Sequence, residues 1–206
     1  SSDLPLVTDY KQNKKHRAAG LAASWLALAL AQDVVENAKE PVELALSMGE
    51  QTDDKEVKST AKLAYGVYLL GVEDFANAAI AFSDSVNIDQ TGPNVALALK
   101  LHGDAKIGLA FGGEETITNP AELDEAVASY GKARAVAERQ TASNKQENDV
   151  MLARALEGLA SAARYKGDKA ESCTQVEQVL KLYEGAGMAR DVVEGALQLK
   201  QQADCQ

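Results

Sequence analysis

The sequence predicts an all-α fold built from antiparallel helix pairs, and three features carry that expectation. Alanine recurs in nearly every segment; it has the highest helix propensity, and its small side chain lets helix axes approach closely. Hydrophobic residues make up 46% of the 206 positions, enough for a packed core, while only 5% are aromatic and 4 are proline. No stretch alternates Val, Ile, Thr and aromatic residues as a half-buried strand would. Apolar residues instead recur at three- and four-residue spacing, the period of one helix face. A chain of this length suits one large domain or one continuous stack of repeated units.

The first expected pair covers about residues 14–51. Lys11, Lys14, Lys15, His16 and Arg17 form a basic cluster. It reads as a solvated helix start, with an anionic lipid or an acidic partner as the other reading. The apolar run AAGLAASWLALALA, residues 18–31, follows directly. Basic residues before an apolar run also mark a secretory signal peptide, but 17 preceding residues make an unusually long leader. The first residue is serine rather than methionine, as expected of a processed or trimmed start. The run is also shorter than the roughly 20 residues needed to span a bilayer. It is therefore expected to be a buried first helix, with membrane contact confined, if present at all, to residues 11–31. The second helix of the pair is placed from Pro41, because proline suits the first helical turn.

The clearest periodicity lies in residues 59–92, STAKLAYGVYLLGVEDFANAAIAFSDSVNIDQTG. Tyr65, Gly66 and Leu69 fall on one helix. After a turn at Gly71-Val-Glu-Asp, Phe75, Ala78, Phe82 and Val86 recur on a second. This segment resembles a tetratricopeptide repeat, in which helix A carries a large apolar residue followed by glycine. Helix B of that family carries an aromatic, a small residue three later, an aromatic four beyond, and another small residue; Phe75, Ala78, Phe82 and Ser85 match that order. Gln90 stands where the family usually has proline. The physical sense of the pattern is packing: small residues allow close crossing, aromatics fill the space between pairs, and at least about three pairs are needed to bury a continuous core.

Weaker copies extend the resemblance over most of the chain, giving pairs at about 14–51, 55–90, 94–139 and 147–184 and a capping helix at 187–203. Leu123, Ala126, Tyr130 and Ala133 repeat the helix-B spacing, and Gly103 stands as Gly66 does. Residues 111–120 form an insertion that the family does not normally carry, either tucked against the stack or forming a lip over a groove. Met151–Tyr165 reads as another helix A, but its helix B, from Ala170 to Tyr183, is expected to lack the aromatic and to depart from the pattern at Val176. The resemblance implies a single right-handed superhelix. An Ala-rich antiparallel bundle without superhelical stacking is the other architecture considered.

Charge and motifs exclude more than they suggest. The net charge is -10, from 31 acidic and 21 basic residues, and such a surface repels phosphate backbones, so no nucleic-acid partner is expected. There are two histidines, and no HExxH, GxSxG, P-loop or GxGxxG pattern occurs. Gly112-Gly113 reads as a turn, and the acid pairs Asp53-Asp54 and Glu114-Glu115 lack calcium-loop spacing. Glu122, Asp124 and Glu125 follow Pro120, where acids complement the helix dipole. No catalytic residue, metal or cofactor is expected, and the chain is not read as an enzyme.

The resemblance implies instead a scaffold or adaptor that receives a peptide or helical segment of another protein in a concave groove lined by helix-A residues. Those positions are Leu63, Val67 and Leu70, then Lys100, Asp104 and Ile107, then Arg154, Glu157, Ser161 and Arg164. Arg154 and Arg164 would pair with acids of the partner. The Lys and Asn with which some members hold a carboxylate fall at Leu63 and Val67 here, so that clamp is not expected. A self-assembling structural protein and a carrier of a small apolar ligand are the alternatives. Cys173 and Cys205 could form a disulfide, which would favour a periplasmic or secreted location; otherwise a cytoplasmic one is expected. With antiparallel final helices Cys205 overshoots Cys173 by roughly 10 Å at about 1.5 Å per residue, so a bridge requires the tail to fold back.

Overall fold

The computed structural model describes the backbone of residues 4–139 and 145–205 and the side chains of residues 14–31, 34–139, 145–190 and 192–205; Lys11 lies outside those side chains. Among the described residues there are nine α-helices and no strand. They are α1 (Leu4–Asp33), α2 (Lys39–Glu50), α3 (Lys55–Gly71), α4 (Phe75–Ile88), α5 (Val95–Phe111), α6 (Pro120–Arg139), α7 (Lys145–Tyr165), α8 (Lys169–Gly185) and α9 (Arg190–Gln202). The chain divides into two compact units, Ser1–Val95 and Ala96–Gln206.

In the first unit α1 is 30 residues long, extending beyond the apolar run 18–31 on both sides. It packs on α2 and α3, and the three helices meet at Ala23, Ala45 and Ala61, where the absence of larger side chains lets the axes close in. Arg17 crosses to the start of α3, its Nε 2.9 Å from Asp54 Oδ2 and its guanidinium also paired with Glu56. Val34 is extended and leads through a 3-10 turn (Val35–Ala38) into α2. That helix begins two residues before Pro41, which still lies in the first turn, where a missing N–H leaves no intrahelical bond unmade. The pair α3–α4 closes through Gly66. A Cβ there would lie 2.5 Å from the Phe82 ring, so only glycine admits the fully buried phenylalanine. Ser85 Oγ, further along α4, donates to Ser59 O at 2.8 Å.

The second unit repeats the arrangement with a shared ring. Tyr130 of α6 lies against Gly103 of α5 and Gly158 of α7, and a Cβ at either glycine would collide with the same Cδ1, Cε1 and Cζ atoms. Leu123, Ala126, Tyr130 and Ala133 are all buried. So are Val176, Val179, Tyr183 and Ala186 of α8 and the following turn, at the same spacing 53 residues on (123 to 176, 130 to 183). The expectation that this last helix lacks its aromatic is therefore corrected: the ring is Tyr183, about two helical turns further along α8 than Phe82 is along α4. The insertion 111–120 tucks in. Thr118 and Asn119 N–H groups donate to Ala110 O at 2.8 and 3.0 Å, and Ile117 packs beside Ala110, Leu123 and Ala162.

Among the described residues one capping device ends four helices. After α3, α7, α8 and α9 the second residue past the helix is left-handed: Glu73 (φ 61), Gly167 (φ 78), Gly187 (φ 63) and Asp204 (φ 53). In each case the next N–H reaches back five residues, as Asp74 to Leu69 O, Asp168 to Ala163 O, Met188 to Tyr183 O and Cys205 to Lys200 O. This double closure satisfies carbonyls that a helix end otherwise leaves open and reverses the chain. Asp74 and Asp168 then cap the following helices, accepting from Asn77 and Glu171 N–H. The same reversal at Asp204 folds the tail back. It brings Cys205 within 5.5 Å (Cα–Cα) of Cys173, and the two form a disulfide. Lys169 pairs with Asp204 beside it.

Two outcomes follow from this packing. Gly66→Ala forces its methyl into the Phe82 ring and should destabilise the protein by about 1–3 kcal/mol, whereas Gly131→Ala, with open space around it in α6, should stabilise by about 0.5–1 kcal/mol; urea denaturation followed by circular dichroism compares them. The disulfide closes a sequence separation of 32 residues, so Cys173→Ser should lower stability by ~3–4 kcal/mol on the chain-entropy relation. Reductant should bring the wild type to the same midpoint and leave the variant unchanged.

Candidate functional site

Helix α5 contributes Lys100, Asp104 and Ile107 to a cavity of about 220 Å³, and α7 contributes Glu157, Gly158, Ser161 and Tyr165. Tyr130 of α6 completes the lining. The cavity exists because Gly103 and Gly158 have no side chains: the Tyr130 ring fits against both, and its hydroxyl reaches between the helices to donate to Asp104 Oδ1 at 2.9 Å. The other Asp104 oxygen receives Lys100 Nζ at 2.6 Å. One turn-pair later the device recurs, with the Tyr183 hydroxyl donating to Glu157 Oε2 at 2.9 Å. Each tyrosine follows its carboxylate by 26 residues. A carboxylate tied to a buried hydroxyl has a fixed rotamer, so the charged groups of the cavity are held in place before any ligand arrives.

The electrostatics follow from burial. Burial pushes the Glu157 carboxyl above the usual glutamate range, and Asp104 adds to that; the Tyr183 hydroxyl, Lys100 and Arg154 act in the opposite direction. Burial and then the adjoining carboxylates raise Tyr130 and Tyr183, keeping both as neutral hydrogen-bond donors. The volume lies below the roughly 300–1,000 Å³ of sites that enclose a small molecule. It suits one or two side chains or a short stretch of backbone.

Five of the ten sequence-expected groove residues thus meet here: Lys100, Asp104, Ile107, Glu157 and Ser161. Arg154 is exposed on α7, and its charge opposes the rise of the Tyr183 hydroxyl. Arg164 lies with its guanidinium 4.5 Å from the Tyr165 ring centroid, and its Nε is buried without a hydrogen-bond partner. It packs on that ring from a half-buried position. Leu63, Val67 and Leu70 belong to the first unit. Leu63 is 0% exposed and forms core there, a correction to its place in a groove; Val67 and Leu70 are half-buried. Tyr130, Gly158 and Tyr165 were not foreseen as lining residues. Tyr165 is held edge-on by Phe111, ring centroids 5.0 Å apart, so the start of the insertion supports the cavity wall.

A second polar cluster of this unit involves α5 and α6. His102 Nδ1 lies 2.8 Å from Ser129 Oγ, which itself donates to Glu125 O, and Lys106 pairs with Glu122 and Glu125. Burial, then Lys106, lowers the His102 pKa, and the buried serine hydroxyl is committed to the backbone, so the pair serves packing. Among the described residues no group of three or more His, Cys, Asp or Glu side chains is placed to hold a metal ion, and no helix is long and apolar enough to cross a membrane. No family model matches the chain, and no curated protein matches it either.

Glu157 supplies a pH test. A carboxyl whose folded pKa is raised binds its proton more tightly in the folded state, so its contribution is lost as pH rises from the unfolded value, near 4.5, through the folded one. Glu157→Gln keeps an acceptor for Tyr183 but cannot ionise. Its stability relative to wild type should therefore increase as pH rises above the ordinary glutamate range and level off beyond the folded pKa. Chemical denaturation across that range reads the difference, and a pH-independent difference would contradict the assignment.

Proposed function

We propose that the chain is a tetratricopeptide-like repeat protein, a right-handed superhelix of helix pairs closed by α9, and that it works as a protein–protein interaction scaffold without catalytic chemistry of its own. It receives an extended peptide or helical segment of another protein across the cavity between α5 and α7. The observation that carries this reading is the convergence of Lys100, Asp104, Ile107, Glu157 and Ser161, all helix-A positions, on one open cavity with pre-fixed carboxylates. The buried spacing of Ala78, Phe82 and Ser85 recurs at Ala126, Tyr130 and Ala133 and at Val179, Tyr183 and Ala186, which supports the repeat architecture. Two carboxylates and a lysine in the lining disfavour a small apolar guest, which would leave charged groups desolvated without partners. The acidic surface disfavours nucleic acid. The disulfide between Cys173 and Cys205 favours an oxidising compartment, periplasmic or extracellular.

Selection of a displayed library of random peptides on the intact protein tests the reading. Sequences should be enriched that bind with one-to-one stoichiometry. Ser161→Arg, which fills the cavity from a half-exposed position on α7, should weaken them by at least about tenfold without changing the melting temperature. Failure to enrich any peptide, or peptides that bind Ser161→Arg equally well, would overturn it.

A further inference from the structure

Helix α1 is apolar on two faces. Ala23, Ala27 and Leu28 are buried within the first unit. The outward side carries Ala18, Ala22, Trp25, Leu26 and Ala29, all exposed, with Trp25 at 52% and Leu26 at 53%. Singly scattered apolar residues on a surface need no explanation. These recur at intervals of three and four, so they form one continuous stripe down the helix, and a helix apolar all round is normally covered.

Charge indicates what covers it. The segment from Tyr10 to Gln32 contains Lys11, Lys14, Lys15 and Arg17 and no acid. Residues 33–43 contain Asp33, Glu36, Glu40 and Glu43 against Lys39 alone. The basic residues thus stand at the start of the stripe, and Glu36, Glu40 and Glu43 follow its end in the 3-10 turn and the first turns of α2; the middle of the stripe is Trp25–Leu26. Lys15 lies ten residues before Trp25 on α1, and Glu36 stands in the 3-10 turn three residues past the end of the helix; both are exposed. Ala22 and Ala29, both on α1, are placed symmetrically about that centre. Such a stripe is complementary to itself turned end for end. An anionic lipid surface would attract the first end but repel the second, on a protein already carrying a net charge of -10.

We propose that the outward face of α1 is an interface with a second copy of this chain. The two helices pack antiparallel about a two-fold axis between Trp25 and Leu26. Ala22 of one copy lies against Ala29 of the other, letting the axes close to about 8–10 Å. The Trp25 and Leu26 side chains cover one another, and Lys15 approaches Glu36 at both ends. The contact is isologous, so it closes at a dimer rather than propagating. It does not rest on the peptide-binding reading, and its failure would leave that reading untouched.

Sedimentation equilibrium on the whole protein, with the emission of Trp25 as the chain's single tryptophan, tests the proposal. A concentration-dependent dimer is expected, with Trp25 emission moving to the red on dilution. Leu26→Glu should raise the dimer dissociation constant at least about tenfold with helicity unchanged, since the side chain is exposed in one copy. Lys15→Glu should weaken the dimer, and Lys15→Glu combined with Glu36→Lys should restore it. The proposal is overturned by a monomer at every concentration, by a dimer indifferent to Leu26→Glu, or by a double charge exchange no tighter than the single. It is equally overturned if Trp25 emission in a monomeric chain responds instead to phosphatidylserine vesicles.

Discussion

An aromatic ring laid against a glycine on the neighbouring helix is the contact on which the remaining packing depends. Phe82 on Gly66 sets the spacing of α3 and α4, and Tyr130 between Gly103 and Gly158 sets that of α5, α6 and α7. The closeness of these approaches makes the alanine-rich surfaces useful. Alanines bury little area each, and they contribute only where axes come close enough for many small contacts to form. In the second unit the same approach carries the Tyr130 hydroxyl through to Asp104, so the chemistry of the cavity descends from a packing event.

The second regularity is the way helices end. Four of them stop with a left-handed residue and a five-residue reach of the following N–H, and only two of those residues are glycine. Glu73 and Asp204 adopt the conformation with a Cβ present, at some local cost that the surrounding hydrogen bonds offset. These closures make each connection short, so most contacts join helices adjacent in the chain. Such a fold forms from local pieces, with little loop entropy lost before contacts repay it. The disulfide fits this scheme, because it joins α8 to the turn after the helix that packs on it.

Much of this was legible in the residues. The helical class and the glycines at positions 66 and 103 could be read because a helix face writes itself at three- and four-residue spacing. The last aromatic was missed because Val176 stands as far from the capping Asp168 as Phe82 does from Asp74, whereas the buried ring, Tyr183, lies further along α8. Counting from the acids would have found it, since Asp104 with Tyr130 and Glu157 with Tyr183 share one separation. The Cys173–Cys205 bridge was legible as one that needs the tail to fold back, because a straight helix overshoots its partner; the reversal at Asp204 that supplies the fold rests on a φ that aspartate adopts only in context. Leu63 was assigned to a groove by analogy of position, but a leucine there buries more apolar surface by turning inward. Arg164 likewise covers Tyr165, which its sequence position does not disclose.

Tyr130 has a consequence for descent. Its ring occupies the space that two side chains on two other helices would otherwise fill, at positions 55 residues apart in the chain (103 and 158). Enlarging either glycine is blocked while the ring stays, and shrinking the ring opens a void beside both glycines at once. The three positions are therefore locked into one heritable unit: a lineage can leave this arrangement only through coordinated replacement. Relatives that have lost the tyrosine should show both glycines replaced by larger residues, a signature detectable in an alignment without any knowledge of the ligand.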